Sequence, residues 1–110
     1  MQLSLITEKE VVRQVKEVIK QTGLEIQRLN TGCFQRAGRF VRTAKKGTLD
    51  FEGYDNTGRF VAIECKRPVG GRLSPEQAER IRDILHKGGV AGVVHSGEET
   101  MELLRSFGCI

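Results

Sequence analysis

Between Gly47 and Lys66 two short apolar runs, Gly47-Thr48-Leu49-Asp50-Phe51-Glu52 and Arg59-Phe60-Val61-Ala62-Ile63-Glu64-Cys65-Lys66, flank a polar turn, Tyr54-Asp55-Asn56-Thr57-Gly58. Such runs on either side of a Gly- and Asn-bearing loop predict an antiparallel hairpin, and no other stretch constrains the chain as much. Strand side chains alternate between faces, so Asp50 and Glu52 are expected on one face and Leu49 and Phe51 on the other. Glu64 and Lys66 likewise oppose Ile63 and Cys65. With the turn centred on Thr57, Asp50 and Glu64 are equidistant from it and directly opposed, with Cβ atoms roughly 4.5–5.5 Å apart. A slip of register would change that pairing.

Val61-Ala62-Ile63 is apolar on both faces and predicts a central strand covered on both sides. Charge carried into such a place is costly unless it is paired or metal-bound. Two carboxylates at a cross-strand distance are hard oxygen donors that suit Mg²⁺ or Mn²⁺, with positions left for water and a phosphate. The trio Asp50, Glu64 and Lys66 also describes a cross-strand ion pair at an exposed sheet end, and the residues alone leave both readings open.

A chain of 110 residues with 38% hydrophobic and 29% charged residues is expected to form one soluble domain over residues 1–110. No apolar run approaches the roughly 18–20 residues of a membrane span, and the first residues carry no signal-peptide pattern. The expectation is a cytoplasmic protein without a membrane partner. Cys33, Cys65 and Cys109 are odd in number and lack paired ligand spacing, which argues against a disulfide framework or a zinc site. The net charge of +4 matters less than its distribution: from Arg28 through Arg36, Arg39, Arg42, Lys45 and Lys46 there is no Asp or Glu. A one-signed block beside an acidic pair points to a polyanion held with strong salt dependence. A solvated basic face fits the same composition.

Thr7-Glu8-Lys9-Glu10 predicts a capping box, with Glu10 reaching back to the cap, and a helix to about Gln21 that Gly23 stops. Val11, Val12, Val15, Val18 and Ile19 form its apolar stripe, and Glu8 falls near the middle of that stripe. Glu8 is therefore a first-turn residue helped by the helix dipole or a group that reaches the acidic pair. Leu24–Asn30 predicts a strand, Thr31–Arg36 a loop, and Phe40-Val41 a short strand. Ser74-Pro75-Glu76-Gln77 opens a second helix with Ser as cap, Pro at the first position and Gln three residues after the cap. Gln77 either completes that capping box or, by its inward phase with Ile81 and Ile84, contacts a water or phosphate at the hairpin's edge. Gly88-Gly89 ends the helix, Val90–Val94 is a buried strand, and Ser96 caps a last helix carrying Met101, Leu104 and Phe107. The order α-β-β-β-α-β-α predicts an α/β sheet of about four strands, with the helix-linked third and fourth parallel or placed side by side in a mixed sheet.

Taken as an ordered set, Glu8, Gly47-Thr48-Leu49-Asp50, Glu64-Cys65-Lys66 and Gln77 within Leu73-Ser74-Pro75-Glu76-Gln77 resemble the PD-(D/E)XK nuclease superfamily. More closely, the chain is similar to stand-alone, phage-type VRR-NUC domains over about residues 7–100. It departs from the pattern at Leu49, where the superfamily has proline, a position that shapes the backbone and carries no chemistry. The resemblance implies an αβββαβ core with a mixed sheet flanked by helices. It implies that Asp50, Glu64 and the backbone carbonyl of Cys65 hold Mg²⁺ or Mn²⁺, that Lys66 orients or helps deprotonate the attacking water, and that Glu8 and Gln77 complete the site. The expected activity is metal-dependent endonucleolytic hydrolysis of DNA, with four-way or other branched substrates and a homodimer to match their symmetry.

Other classes fit less well. A nuclease-like binding module without turnover would not need all the charged positions. An RNA-directed nuclease shares the chemistry, but five Phe, one Tyr and no Trp offer little stacking on single-stranded bases. His86 and His95 have no nucleophile motif beside them, and no Lys-Ser/Thr follows Gly88-Gly89-Val90-Ala91-Gly92 to make a phosphate loop.

Overall fold

A computed structural model describes residues 2–29 and 47–110 in full, and residues 33–36 and 39–42 as strands. After a 3-10 turn at Leu3–Leu5, helix α1 runs Glu8–Thr22 from the cap Thr7, whose hydroxyl accepts the Glu10 N–H at 3.1 Å. Gly23 closes it at φ 71, in the left-handed region that a side chain rarely enters. The reciprocal half of the expected capping box is not made. Arg13 Nε and NH2 take the Glu10 carboxylate at 2.7–3.0 Å instead, because a charge-assisted bidentate pair outweighs a bond to a neutral N–H.

The strands are β1 Glu25–Arg28, β2 Cys33–Arg36, β3 Arg39–Arg42, β4 Phe51–Tyr54, β5 Phe60–Cys65 and β6 Val90–Val94. Helix α2 spans Pro75–His86 and α3 spans Gly97–Ser106. A four-stranded mixed sheet has the order β1-β4-β5-β6, with β5 and β6 parallel and the other pairs antiparallel. The α2 crossover leaves β5 and β6 side by side and parallel in a mixed sheet, within the two arrangements expected from the sequence. β2 and β3 form a separate antiparallel ribbon, so part of Thr31–Arg36, expected as a loop, is strand. Four residues carry too little periodicity to announce a strand, and here the ladder to β3 makes it.

Two apolar layers sandwich the sheet. On one side α1 and α3 pack Val11, Val15, Ile19 and Leu104 against Ile26, Phe51, Val61, Ile63, Cys65 and Val94. On the other, α2 brings Ile84 onto Leu49, Ala62 and Ala91. Val61, Ala62 and Ile63 are fully buried, as a central strand requires. Leu49 and Phe51, expected on one face, go to opposite layers. β4 begins only at Phe51, and the backbone bends at Asp50 before the pleat starts, so alternation does not extend back to Leu49. The β4–β5 register, Phe51↔Ile63 through Tyr54↔Phe60, is the one centred on Thr57.

Asp55 locks that turn. Its carboxylate accepts the Thr57 N–H and hydroxyl, at 2.9 and 2.6 Å, and the Arg59 N–H and Nε–H, at 3.0 and 2.9 Å. The Thr57 hydroxyl above all holds the Asp55 carboxyl well below the usual carboxylate range. Among the described residues no helix is long and apolar enough to cross a membrane.

Candidate active site

The β4–β5 ladder ends at Phe51↔Ile63, and just past it hydrogen bonds bring Asp50 and Glu64 together. Both carboxylates are buried, with residue exposures of 7% and 3%. The Asp50 N–H donates to Glu64 Oε1 at 3.1 Å, and the Cys65 N–H donates to Asp50 Oδ2 at 2.8 Å. Each acid is thereby held by the backbone of the other's strand.

Glu64 Oε2 receives Gln77 Nε2 at 2.7 Å and Lys66 Nζ at 3.1 Å. Gln77 completes the capping box, the first of the roles open to it, and also contacts the Glu64 carboxylate. Its Oε1 accepts the Ser74 N–H at 3.1 Å, completing the capping box, while its Nε2 grips Glu64. Only this amide orientation pairs a donor with the carboxylate and an acceptor with the N–H. Lys66 is ion-paired, but its side chain is only 15% exposed, so the pair does not lie at an open sheet end.

Burial, and after it the nearby charge of Asp50, pushes the Glu64 carboxyl up to about 7, with Lys66 opposing both. Relative to its ordinary value of 4.5 the folded value is raised, so the stabilisation linked to this group is full at low pH and is lost as pH rises through about 7. In the metal-free protein, wild type should lose stability relative to Glu64→Gln between about pH 5 and about pH 8. Urea melts of both proteins at the two ends check this, and parallel pH profiles would contradict it.

Arg28, at the end of β1, places NH1 3.1 Å from Asp50 Oδ1 and 3.1 Å from the Leu29 carbonyl. It also borders a groove of about 370 Å³ together with Lys16 and Lys20. On the other flank Lys66 borders a groove of about 430 Å³ with Arg67, Arg72 and Glu8. Glu8 is exposed and stands in that wall, outside the hydrogen-bonded cluster. Each acid is thus paired with a cation that borders a basic groove, Asp50 with Arg28 and Glu64 with Lys66. A larger groove of about 790 Å³ along α2 mixes Glu52, Glu79 and Asp83 with Arg80 and Arg82, a charge pattern unsuited to a polyanion.

Sequence reading did not single out Lys16, Lys20, Arg67 or Arg72. Their signals were present but ordinary: an i, i+4 lysine pair on α1, and two arginines around a Gly-Gly turn. Of the basic segment, Arg36, Arg39 and Arg42 fall in β2 and β3, whose side chains lie outside the described residues, as do Lys45 and Lys46 altogether.

Among the described residues no three or more His, Cys, Asp or Glu converge into a metal cage. The donor set is two carboxylates that repel one another in a buried place. Such a pair fits a hard cation that keeps several waters, as Mg²⁺ does, rather than one fully enclosed by protein. The Cys65 thiol is buried in the α1–α3 layer and pushed up by that burial, so its side chain is packing and not a ligand. No protein-family model matches this chain, and no curated protein sequence matches it.

Proposed function

We propose that this protein is a metal-dependent nuclease with a PD-(D/E)XK-type core of the VRR-NUC kind, hydrolysing DNA phosphodiester bonds, with branched DNA the favoured substrate. One observation carries the reading: each acid of the buried pair is ion-paired to a cation that borders a basic groove, Asp50 to Arg28 beside Lys16 and Lys20, and Glu64 to Lys66 beside Arg67 and Arg72. Cations on both flanks draw a phosphate chain across a site that the carboxylates alone would repel.

In this reading Asp50 and Glu64 hold Mg²⁺ or Mn²⁺, and the resemblance adds the backbone carbonyl of Cys65, whose N–H is anchored on Asp50. When bound, such a cation supplies an activated water and charge neutralisation at the phosphate. The chain's own part is positioning. Gln77 fixes the rotamer of Glu64, and the capping box fixes Gln77. Lys66 acts through its charge and its remaining donors, orienting a water or a phosphate oxygen beside Glu64. Glu8 faces the same groove as Lys66 and completes the acidic side of the site. A homodimer would present two such sites to a two-fold symmetric junction.

A cleavage panel with Mg²⁺ or Mn²⁺ on duplex, single-stranded, flap and four-way-junction DNA, with the matching RNAs, tests this. Cleavage of DNA that stops with EDTA is the expected result. Binding without turnover on every substrate would leave a nucleic-acid-binding module instead, and cleavage confined to RNA would move the substrate class.

A further inference from the structure

The oxygens of the acidic pair are unequally available. Asp50 Oδ2 is tied to the Cys65 N–H and Glu64 Oε1 to the Asp50 N–H, both within the sheet. Glu64 Oε2 is shared by Gln77 and Lys66. Among the described residues, the oxygen held only by a group that can leave is Asp50 Oδ1, and Arg28 sits on it at 3.1 Å. The Arg28 side chain is 37% exposed. Its guanidinium carbon lies 5.8 Å from the centre of the Phe51 ring, a contact between a cation and a ring face that guides where the group rests. It also borders the groove of Lys16 and Lys20.

We propose that Arg28 is the resident counter-ion of Asp50, occupying the oxygen a divalent cation needs, and that its displacement turns the guanidinium toward a backbone phosphate in the Lys16–Lys20 groove. This rests on the metal-dependent reading above and adds to it a coupling. Cation and phosphate each release Arg28 from the position that blocks the other, so the binding of either strengthens the other by the same factor. Arg28 is a positioning residue in this scheme.

The test is Mn²⁺ binding to the full chain without nucleic acid, followed by the electron paramagnetic resonance of free Mn²⁺. Arg28→Gln keeps a donor for Asp50 but removes the charge, and should bind Mn²⁺ about tenfold tighter than wild type, since a like charge beside the divalent ion is gone. Arg28→Lys retains the charge and should stay within a few-fold of wild type. If Arg28→Gln fails to fold by its thermal melt, Arg28→Met, which keeps the hydrocarbon over Phe51, replaces it with the same expected gain. Wild type that binds Mn²⁺ with an affinity unchanged or weakened in the neutral variants overturns the role of Arg28 and leaves the metal site standing. No Mn²⁺ binding by wild type or variants removes the metal site, and this inference with it.

Discussion

Asp50→Ala, Glu64→Ala and Lys66→Ala are each expected to lower metal-dependent DNA cleavage by at least about a hundredfold, the scale of removing a group that stabilises charge at the reacting phosphate. Fold and DNA binding should stay largely intact. The reason lies in the opposed effects of the same charges. Glu64 is buried beside Asp50 at an electrostatic cost to the metal-free protein, so removing either acid relieves repulsion while deleting a ligand of the proposed metal. Both acid variants also give up bonds: Asp50→Ala loses the Cys65 N–H bond and the Arg28 ion pair, and Glu64→Ala loses the bonds from the Asp50 N–H and Gln77 and the Lys66 ion pair. Lys66→Ala leaves Glu64 with Gln77 as its remaining side-chain partner here. Initial rates on a junction substrate, together with circular dichroism and a gel-shift assay in EDTA, separate catalysis from folding and binding. Full activity in any one of the three would show that the site is elsewhere.

Gly53→Ala should be the most damaging small substitution outside the site. Gly53 pairs with Ile26 of β1 and with Val61 of β5. An added Cβ would lie 1.9 Å from the Glu25 carbonyl oxygen and 2.5 Å from the Ile26 Cα. Those are backbone atoms, so no rotamer change can relieve the clash and β1 must move off β4. Overpacking that forces a backbone shift costs about 3 kcal/mol or more, which lowers the melting midpoint by on the order of 10 °C in a domain this size. Ile26 would leave the α1–α3 layer, and Arg28 would leave Asp50. Gly58 makes the instructive contrast: nothing stands within 4 Å of its Cβ position, but its φ is 88. Gly58→Ala therefore pays only the left-handed backbone penalty, on the order of 1 kcal/mol. Equal midpoints for the two variants would mean that β1 is not held against β4 as described.

Legibility in the sequence followed how local each signal was. Thr7, Ser74 and Ser96 marked helix starts because a cap bonds within three residues of itself. The β4–β5 register could be read because a short turn leaves few alternatives. The face of Leu49 could not, since the bend at Asp50 interrupts the pleat that the two-residue period assumes. The partner of Glu10 was misread for a similar reason: Arg13 competes for its carboxylate from one turn away. At the site, the identity of the acids was visible from residue types and spacing, but the cations that flank them were not. Lys16 and Lys20 lie on α1 and Arg67 and Arg72 on the connection after β5, and only folding sets them in the grooves that Arg28 and Lys66 border.

Local pattern alone determined where the helices begin, which strand lies at the centre, and that Asp50 faces Glu64 across a hairpin. These depend on contacts a few residues apart or on a two-strand register. Tertiary structure decided how the charges are shared: Gln77 bridges a helix cap to Glu64, Arg28 rather than Lys66 takes Asp50, and Cys65 turns its N–H to the site and its thiol to the core. Hydrogen-bond partners in a buried cluster are set by which donors packing brings within about 3 Å, and that distance is fixed by the whole sheet and its helices rather than by any one segment.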